Sequence, residues 1–527
     1  MQRLIQSIGV AAIATVLPLG GAALSQEKTL TIAISGEVET LDPPFSQFQR
    51  SNEVNYNVLD QFFRYGWVDT GEGYAMADTS KVEGSAIQDW KWSDDKLKLT
   101  MTLRDGATFT KTGDPVTSDD ILYWFERAYG TKAGTEWNAK TAHIDGMQSV
   151  KAIDPKTVEI TFSKPSPWFF YLFRDQSQAP IEAKIAKEHT SAEDDWAKKW
   201  LSKNDAGSGE YSVADWQAGV EMTLQANPKY WAGPAYFDKV VLKTVPSSAN
   251  RALLLQSGEV DIARDLSTDE INLLREAPGV KVLSVPTRNQ MILGFNVKKA
   301  PFDNPKVRQA LNYAVPYQSI VDGVFGGNGL VSKGPIPVQG QGHDSALWTA
   351  STDIEKAKAL LKEAGFEKGL SFTLDIGEGS PTAEQIAVLL KDSFSQAGVD
   401  MTINIQPAAV FAEQLGKLEH TAWMRDLLWY VDDAGYTGEL FFKTGAVANW
   451  MGYSNPKLDE LITALGSEFD PAKKKALAAD YQKILIEDSP TIALVDMPFE
   501  LAMRDDIEGY VQLPDNLLWY YPLKRKQ

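Results

Sequence analysis

The chain has 527 residues, no cysteine, and 70 Asp and Glu against 52 Lys and Arg, which gives a formal net charge of −18. This length is too great for one hydrophobic core, so two or more domains or lobes are expected. The lack of cysteine excludes disulfides, thiolate metal sites and a cysteine nucleophile, and the negative charge argues against nucleic acid or an anionic membrane surface as a partner.

Residues 1–25 have the pattern of a secretory signal peptide. Arg3 supplies positive charge, residues 4–19 are largely apolar, and Ala23 and Ser25 fit a cleavage site before Gln26. The segment is too short for a membrane anchor, and no later segment has 18 consecutive apolar residues. We therefore expect export to the periplasm of a Gram-negative bacterium, without direct insertion into the membrane.

The first half of the mature chain combines short strands with a few helices. Residues 30–34 predict a strand, and residues 52–63 predict a helix. Alternating apolar residues from Ile87 to Leu103 predict a meander with one buried face. Thr117-Ser-Asp-Asp120 resembles a capping box, which predicts that a helix begins there.

From about Val285 the pattern changes to regular alternation of helices and strands, which is the rhythm of βαβ units. This rhythm predicts an α/β lobe in the second half of the chain. The predicted elements are helix 307–314, helix 352–361, strand 370–376, helix 386–394, strand 399–405 and helix 460–486.

Motifs for catalysis and for metal binding are missing from the sequence. The four histidines are far apart and show no ligand spacing, and neither a nucleophile elbow nor a phosphate loop is present. A pair of carboxylates chosen by eye from 70 acidic residues carries no weight. The chain is therefore not expected to be an enzyme, and no cofactor or metal is expected.

One stretch, Trp423–Asn455, has a composition that suits ligand binding. Within it, Trp429-Tyr-Val-Asp-Asp433 places two adjacent carboxylates behind two aromatic rings. An unpaired carboxylate is expensive to bury, so this pattern favours an acceptor for a cation or amine in a closed, mostly apolar pocket. The alternative is that Asp432 and Asp433 are turn or N-cap residues, with the aromatic rings in the core.

A series of short motifs runs along the chain after the predicted signal peptide. They are Leu41-Asp-Pro43, Leu103-Arg-Asp-Gly106, Phe109, Gly113-Asp-Pro-Val-Thr117, Asp120, Arg127, Asn227-Pro-Lys-Tyr-Trp231, Leu255-Gln-Ser-Gly-Glu-Val-Asp261, Phe295-Asn296, Pro301-Phe-Asp-Asn304, Val307-Arg308 and Tyr453-Ser-Asn-Pro456. In this order they resemble the signature of the peptide- and nickel-type solute-binding proteins of ABC importers. One motif departs from that family: Glu210 stands where its turn usually has proline, and we interpret this as a loop detail.

The resemblance implies an α/β, two-lobed periplasmic binding protein fold of type II, with an extra inserted sub-domain and a ligand cleft between the lobes. Lobe I would comprise residues 26–69, 181–286 and 498–527, with the inserted sub-domain at 70–180. Lobe II would comprise residues 287–497. The lobes would close over the ligand by a hinge bend and present it to a membrane permease. A monomer is implied as well.

The resemblance also nominates residues of lobe II for ligand binding. In peptide-binding relatives, an aspartate three residues after the Trp of this stretch pairs with the α-ammonium of the ligand, which implies that role for Asp432. Such a bond is charge-assisted and directional. Trp429 and Tyr430 would supply apolar walls and cation–π contact, and Trp450 comes from the aromatic cluster that follows.

From lobe I, the loop after Asp42 lines the cleft in relatives. This nominates Phe45, Gln47, Phe48 and Gln49, with core packing as the alternative for the two phenylalanines.

Dipeptide binders of the family carry an arginine before the helix that starts near Pro381, and this arginine holds the carboxylate of the ligand. The present chain has Gly377-Glu-Gly-Ser380 in that region. Arg425 or Arg288 could take the place of the arginine. The departure argues against a plain dipeptide and leaves longer peptides and other amino compounds open.

The prediction is therefore a periplasmic binding component of an ABC importer that delivers a peptide or peptide-like amine to its permease. The same transport role for an oligosaccharide, glycoside or opine-like solute stays open, because aromatic-rich clefts also stack on sugars. A secreted hydrolase that uses two carboxylates is the alternative from another class. A nickel-chelate binder is the weakest alternative.

Overall fold

The computed structural model describes residues 27–526 apart from residues 47, 176 and 430. The predicted signal peptide and the candidate site residues Gln47 and Tyr430 therefore lie outside the described residues. Among the helices of the described part, none combines the length and the apolar character needed to cross a membrane.

Twenty strands are assigned in the described part of the chain. They are β1 (Thr29–Ile34), β2 (Phe63–Asp69), β3 (Ala75–Gly84), β4 (Ile87–Trp92), β5 (Lys98–Leu103), β6 (Val150–Asp154), β7 (Thr157–Thr161), β8 (Tyr211–Gln217), β9 (Glu221–Ala226), β10 (Lys239–Thr244), β11 (Ile262–Ala263), β12 (Val280–Phe295), β13 (Leu330–Val331), β14 (Leu370–Gly377), β15 (Val399–Gln406), β16 (Ala422–Leu428), β17 (Thr491–Arg504), β18 (Ile507–Glu508), β19 (Val511–Gln512) and β20 (Lys524–Arg525).

Sixteen α-helices accompany these strands in the same part of the chain. They are α1 (Gln49–Val58), α2 (Ser118–Thr131), α3 (Gly134–Thr141), α4 (Phe169–Leu172), α5 (Ala183–Glu188), α6 (Lys198–Leu201), α7 (Ser248–Ser257), α8 (Thr268–Arg275), α9 (Pro305–Ala314), α10 (Tyr317–Phe325), α11 (Ile354–Glu363), α12 (Pro381–Gln396), α13 (Ala408–Gly416), α14 (Ala434–Thr437), α15 (Pro456–Leu465) and α16 (Pro471–Asp488). Short 3-10 helices lie at Pro43–Phe45, Met147–Ser149 and Ser345–Leu347, and a π-helical turn lies at Gly438–Phe442.

One mixed sheet of eleven strands runs through the molecule, in the order β15-β14-β16-β12-β17-β11-β1-β10-β9-β8, with β13 beside β17. The long strands β12 and β17 pair with each other twice. Residues 280–286 pair with 498–504, residues 289–294 pair with 491–497, and the register shifts between Pro286 and Asn289. Such an irregularity bends a strand locally. We call the part with β8–β11 and β1 the first half-sheet, and the part with β14–β16 the second half-sheet.

The first half-sheet confirms the predicted strand at 30–34, since β1 pairs in parallel with β10 and β11. The helix predicted at 52–63 is α1, which ends earlier than expected. At Leu59 the backbone is extended, with φ −109° and ψ 146°. Phe62 and Phe63 continue the apolar pattern of the helix, but both are buried in the core of the next unit of the fold, and Phe63 begins β2.

A separate four-stranded sheet, in the order β4-β5-β7-β6, packs with α2, α3 and α4, and we call this unit the sub-domain. It confirms the meander predicted from residue 87 onwards, because β4 and β5 form an antiparallel pair. The predicted start of α2 is confirmed too: the carboxylate of Asp120 accepts a hydrogen bond from the amide of Thr117 at 2.8 Å. Val431 and Tyr436, from the stretch singled out in the sequence, are part of the sub-domain core.

The second half-sheet has the predicted βαβ order, because β14 and β15 run in parallel with α12 between them. The N-cap of α11 is Asp353, whose side chain accepts from the amide of Lys356. The helix predicted at 460–486 consists of α15 and α16. Pro471 occupies the first turn of α16 and Asp470 caps it, which is a common start for a helix and explains the interruption.

Two of the sequence motifs meet in the first part of the fold. The guanidinium of Arg127 on α2 donates to both carboxylate oxygens of Asp42, at 2.9 and 2.8 Å. The two side chains are 3% and 0% exposed. A bidentate pair of this kind has strict geometry, so it fixes the segment after Asp42, which leads into α1, against the sub-domain.

Glu210 is a buried carboxyl group rather than a loop detail. It is 5% exposed and accepts a hydrogen bond from the indole of Trp519 at 3.2 Å. Burial, together with repulsion from Asp60, raises the pKa of Glu210 to about 7, and Arg64 partly offsets this.

Replacement of Glu210 by glutamine is expected to raise the melting temperature at pH 8. As pH rises from about 4.5 to about 7, the unfolded chain gives up this proton before the folded chain does, so folding stability falls and then stays low. The loss is at most about 3 kcal/mol. Thermal unfolding at pH 8 and pH 4.5 measures it, with the exposed Glu276→Gln as the control. A lower melting temperature of Glu210→Gln at pH 8 would contradict this assignment.

Candidate ligand-binding site

A cavity of about 440 Å³ lies between α1, α4, the strands β12 and β16, and the C-terminal tail. This volume suits a small-molecule site. Its lining residues are Gln49, Asn52, Tyr65, Tyr171, Arg174, Asp175, Asn289, Asp426, Leu428, Pro514, Asp515, Asn516 and Leu517. Two other cavities, of about 470 Å³ near Trp137 and about 390 Å³ near Lys474, contain none of the predicted site residues. The 440 Å³ cavity contains Gln49, so we take it as the candidate site and call it the cleft.

Asp515 reaches the cleft from a tight turn in the C-terminal tail. The amide of Asn516 donates to the carbonyl of Leu513 at 3.1 Å, and Asn516 has a φ of 60°, which asparagine tolerates better than most residues. The side-chain amide of Gln49 donates to the carbonyls of Asp515 and Asn516. Burial, together with repulsion from Asp175, raises the pKa of Asp515 to about 7.

Asp175 reaches the same cleft from the segment that follows α4. Its Oδ1 accepts hydrogen bonds from the amide and the hydroxyl of Ser177, at 2.9 and 2.5 Å. Burial raises the pKa of Asp175, and the two bonds from Ser177 offset part of that rise. The local turn therefore orients the carboxylate without neutralising its charge.

Arg174 is the cationic side chain in the cleft lining, and backbone carbonyls already take up its donors. Its guanidinium donates to the carbonyls of Phe170, Lys81 and Thr79, at distances from 2.8 to 3.4 Å. It also lies 4.0 Å from the ring centre of Tyr65, which is a cation–π contact. Burial lowers the pKa of Arg174.

Asp432 forms a polar network that links Thr79 on β3 with Arg288 on β12 and with Gln341. It is 2% exposed. Its Oδ2 accepts from the hydroxyl of Thr79 on β3 at 2.8 Å and from Arg288 at 3.1 Å. Its Oδ1 accepts from the amide of Gln341 at 2.7 Å, and the side chain of Gln341 also donates to Thr79 and Tyr171. Both oxygens of Asp432 thus have protein partners, and we call this set the Asp432 network.

The adjacent Asp433 has the capping role that was the alternative interpretation. Its side chain accepts from the amide of Tyr436 at the start of α14. The same carboxylate accepts from the indole of Trp168 in the sub-domain at 3.0 Å and forms an ion pair with Lys474. Asp433 therefore also connects Trp168 of the sub-domain with α14 and with Lys474 on α16.

Arg288 lies at the register shift of β12 and holds the segment from Trp429 to Asp432. Its Nε donates to the carbonyl of Trp429 at 3.2 Å, while Nη1 donates to Asp432. The Trp429 side chain is buried. The ammonium-binding role that the resemblance implies for Asp432 stays a prediction, and a ligand ammonium would have to compete with Arg288.

The other predicted residues are spread over different surroundings. Gln49 lines the cleft. Phe45 lies against Lys198, whose Nζ is 3.8 Å from the ring centre, and Phe48 is 51% exposed. The guanidinium of Arg425 lies 4.5 Å from the ring centre of Trp450. Phe45, Phe48 and the Arg425–Trp450 pair therefore do not form one site. Of the described candidates, only Gln49 is part of the cleft lining.

Asp175, Asn289 and Asp515 carry no signal in the sequence that marks them as site residues. Each comes from a different segment, and Asp515 stands in a Pro-Asp-Asn sequence that reads as an ordinary turn. Their common feature, the shared cleft, exists only in three dimensions. In the described ranges, no group of three or more His, Asp or Glu side chains could hold a metal ion.

Comparison with known proteins agrees with the motifs. The family model of bacterial extracellular solute-binding proteins, family 5 Middle, matches residues 81–449. The probable D,D-dipeptide-binding periplasmic protein DdpA of Escherichia coli K12 is 30% identical over 515 residues, which is 95% of each chain.

Solved structures show the same fold. HbpA2 from Haemophilus parasuis matches with a TM-score of 0.82 and 22% identity, over 95% of this chain and all of that one. The periplasmic binding protein DppA from Helicobacter pylori in complex with the peptide STSA matches with a TM-score of 0.79 and 22% identity, over 95% and 99% of the two chains. The predicted fold class is therefore confirmed, and the chain belongs to the family 5 bacterial extracellular solute-binding proteins.

Proposed function

We propose that this protein captures a small peptide or a peptide-like, amine-bearing solute and delivers it to the permease of an ABC importer. The observation that carries the proposal is the cleft of about 440 Å³, whose lining comes from α1, β2 and the C-terminal tail on one side, from the segment of α4, and from β12 and β16 on the other side. A site assembled in this way can open and close as its parts move. The D,D-dipeptide named for one relative and the peptide bound in one solved structure support a peptide-like solute.

The proposal includes the lobes expected from the sequence. Residues 26–69, 181–286 and 498–527 form lobe I, with the inserted sub-domain at 70–180, and residues 287–497 form lobe II. The register shift between Pro286 and Asn289 supports a hinge at the boundary, because a break in strand pairing is where two halves can bend. The Asp432 network then joins the two lobes and stabilises the closed form.

We further propose that the protein acts in the periplasm as a monomer, with a cleavable signal peptide and without a cofactor, a nucleic-acid partner or catalysis. The relative from Escherichia coli is named a periplasmic protein, which supports this location. Among the described residues nominated from the sequence, Gln49 remains the proposed binding residue in the cleft, and Asp432 contributes through lobe closure.

The test is thermal unfolding of the purified mature protein with three probe sets: mixed di- and tripeptides, malto-oligosaccharides, and buffer alone. A ligand that binds only the folded state at 100 times its Kd stabilises by about 2.7 kcal/mol, so the peptide set is expected to raise the melting temperature by several degrees. A shift with oligosaccharides alone would replace the peptide proposal by a sugar one. Chromatography of the probes after incubation tests the hydrolase alternative. Hydrolysis of a probe by the purified protein would contradict a transport role.

A further inference from the structure

The cavity near Trp137, which we call the second cavity, is separate from the cleft and has a volume of about 470 Å³. One side of its lining comes from the sub-domain, through α3 and the segment that leads into α4. The other side comes from α14, the π-helical turn and α15. No residue lines both the second cavity and the cleft. A volume in this range is typical of small-molecule sites.

Three aromatic side chains line the second cavity: Trp137, Trp168 and Tyr436. The ring of Tyr436 meets both indoles edge-on, with ring centres 6.0 and 5.7 Å apart and interplanar angles of 84° and 88°. Trp168 is held in place, because its indole donates to Asp433 at 3.0 Å and packs against Gly466, where a Cβ would lie 3.0 Å from the ring. The aromatic surface is therefore preformed, and Trp137 is still 39% exposed.

Lysines dominate the charge of this lining, although the whole chain has a net charge of −18. Lys140, Lys164 and Lys443 line the cavity, against the single carboxylate of Glu439. Lys443 forms an ion pair with Glu439 at 2.7 Å. Lys140 forms one with Glu136, also at 2.7 Å. Lys164 has no such partner within the described ranges, so its ammonium group is available to an anion.

His143 adds a polar group to the lining without adding charge. Burial and the nearby positive charge of Lys164 lower the pKa of His143 from its ordinary value of 6.5, and Asp145 and Glu439 offset only part of this. The imidazole is therefore uncharged at neutral pH, and one of its ring nitrogens carries a hydrogen that can be donated.

We propose that the second cavity binds a small aromatic carboxylate, with its ring against Trp137 and Trp168 and its carboxylate at Lys164. A flat ring gains apolar contact with the indoles. The carboxylate supplies the partner that Lys164 lacks, through a charge-assisted hydrogen bond. The inference does not depend on the proposed function, because the two cavities have separate linings.

The experiment is titration calorimetry of the purified protein with two probes, 1-naphthoate and 1-naphthalenemethanol, which share a ring system and differ in charge. The wild type is expected to bind naphthoate about tenfold more tightly than the alcohol. Lys164→Gln should lose this preference and keep its affinity for the alcohol. Trp137→Ala should weaken binding of both probes by about fivefold.

Lys151→Gln is the matched control, since this lysine is exposed on β6 of the same sub-domain and lies outside the cavity lining. It should behave as the wild type. Lys164 and Trp137 are exposed side chains, so both variants are expected to fold, and thermal unfolding without a probe checks this.

Three results would overturn the inference. The first is equal binding of the two probes, or no binding of either, by the wild type. The second is unchanged naphthoate affinity in both Lys164→Gln and Trp137→Ala, because the probe would then bind elsewhere. The third is a loss of peptide stabilisation in Lys164→Gln, because the second cavity would then belong to the site for the transported solute. Failure of peptides to stabilise the wild type would overturn the proposed function alone.

Discussion

Replacement of Asp432 by asparagine is expected to weaken binding of every cleft ligand by about tenfold to a hundredfold. The variant keeps the size of the side chain but loses the ion pair with Arg288 and turns one of its oxygens, which accept from Thr79 and Gln341, into a donor. Hydrogen bonds to a charged group are worth about 1.5–3 kcal/mol each. In the proposed lobe closure the network stabilises the closed form, so its loss lowers the population of the form that binds, and the apparent affinity falls with that population.

Thr79→Val is the matched control for this interpretation. It removes the β3 side of the network without changing any charge, so it should weaken binding in the same direction by about two- to tenfold. Titration calorimetry with a free-amine peptide and its N-acetylated form measures both variants. Equal loss for the two peptides agrees with a closure role for Asp432. Unchanged affinity would contradict it, and loss confined to the free amine would restore the ammonium role.

Replacement of Arg127 by methionine is expected to destabilise the protein by about 3–5 kcal/mol, because removal of one partner leaves the carboxylate of Asp42 buried without its counter-charge. Both side chains are almost fully buried, and the pair is bidentate. Urea unfolding measures the change in the free energy of unfolding, and methionine preserves most of the volume of the arginine stem.

The double variant Arg127→Met with Asp42→Leu separates charge burial from packing. Replacing both partners of a buried pair by apolar side chains often recovers stability, so the double variant should be more stable than Arg127→Met alone. A loss below about 1 kcal/mol in Arg127→Met would mean that the pair contributes little to stability and that the segment after Asp42 is held by its other contacts.

The fold was largely predictable from the sequence, because most of its strands and helices are marked by local patterns of apolar residues. Periodicity identifies β1, the β4–β5 meander and the β14-α12-β15 unit, and the motif order identifies the family over almost the whole mature chain. The ends of elements were less predictable. Phe62 and Phe63 extend the helical pattern of α1, yet their burial in the sub-domain core forces the chain out of the helix at Leu59.

The site was less predictable, because tertiary contacts decide it. The sequence singled out Asp432 and Asp433, but not that Arg288, Thr79 and Trp168 contact them. Asp175 and Asp515 are two of 70 acidic residues, separated by most of the chain, and only folding places them at one cleft. Glu210 was visible in the sequence only as a residue that replaces the proline of a family turn. Its burial, which raises its pKa, depends on tertiary packing and could not be predicted from that replacement.

Native mass spectrometry of the protein, isolated from the cells that produce it and without added ligand, is the most direct test of solute capture. We expect a complex with one small solute per chain, released on denaturation, whose mass and fragments identify a peptide or another amine-bearing compound. A neutral sugar in that position, or a solute that the protein converts to product on incubation, would contradict capture of an amine-bearing solute for transport.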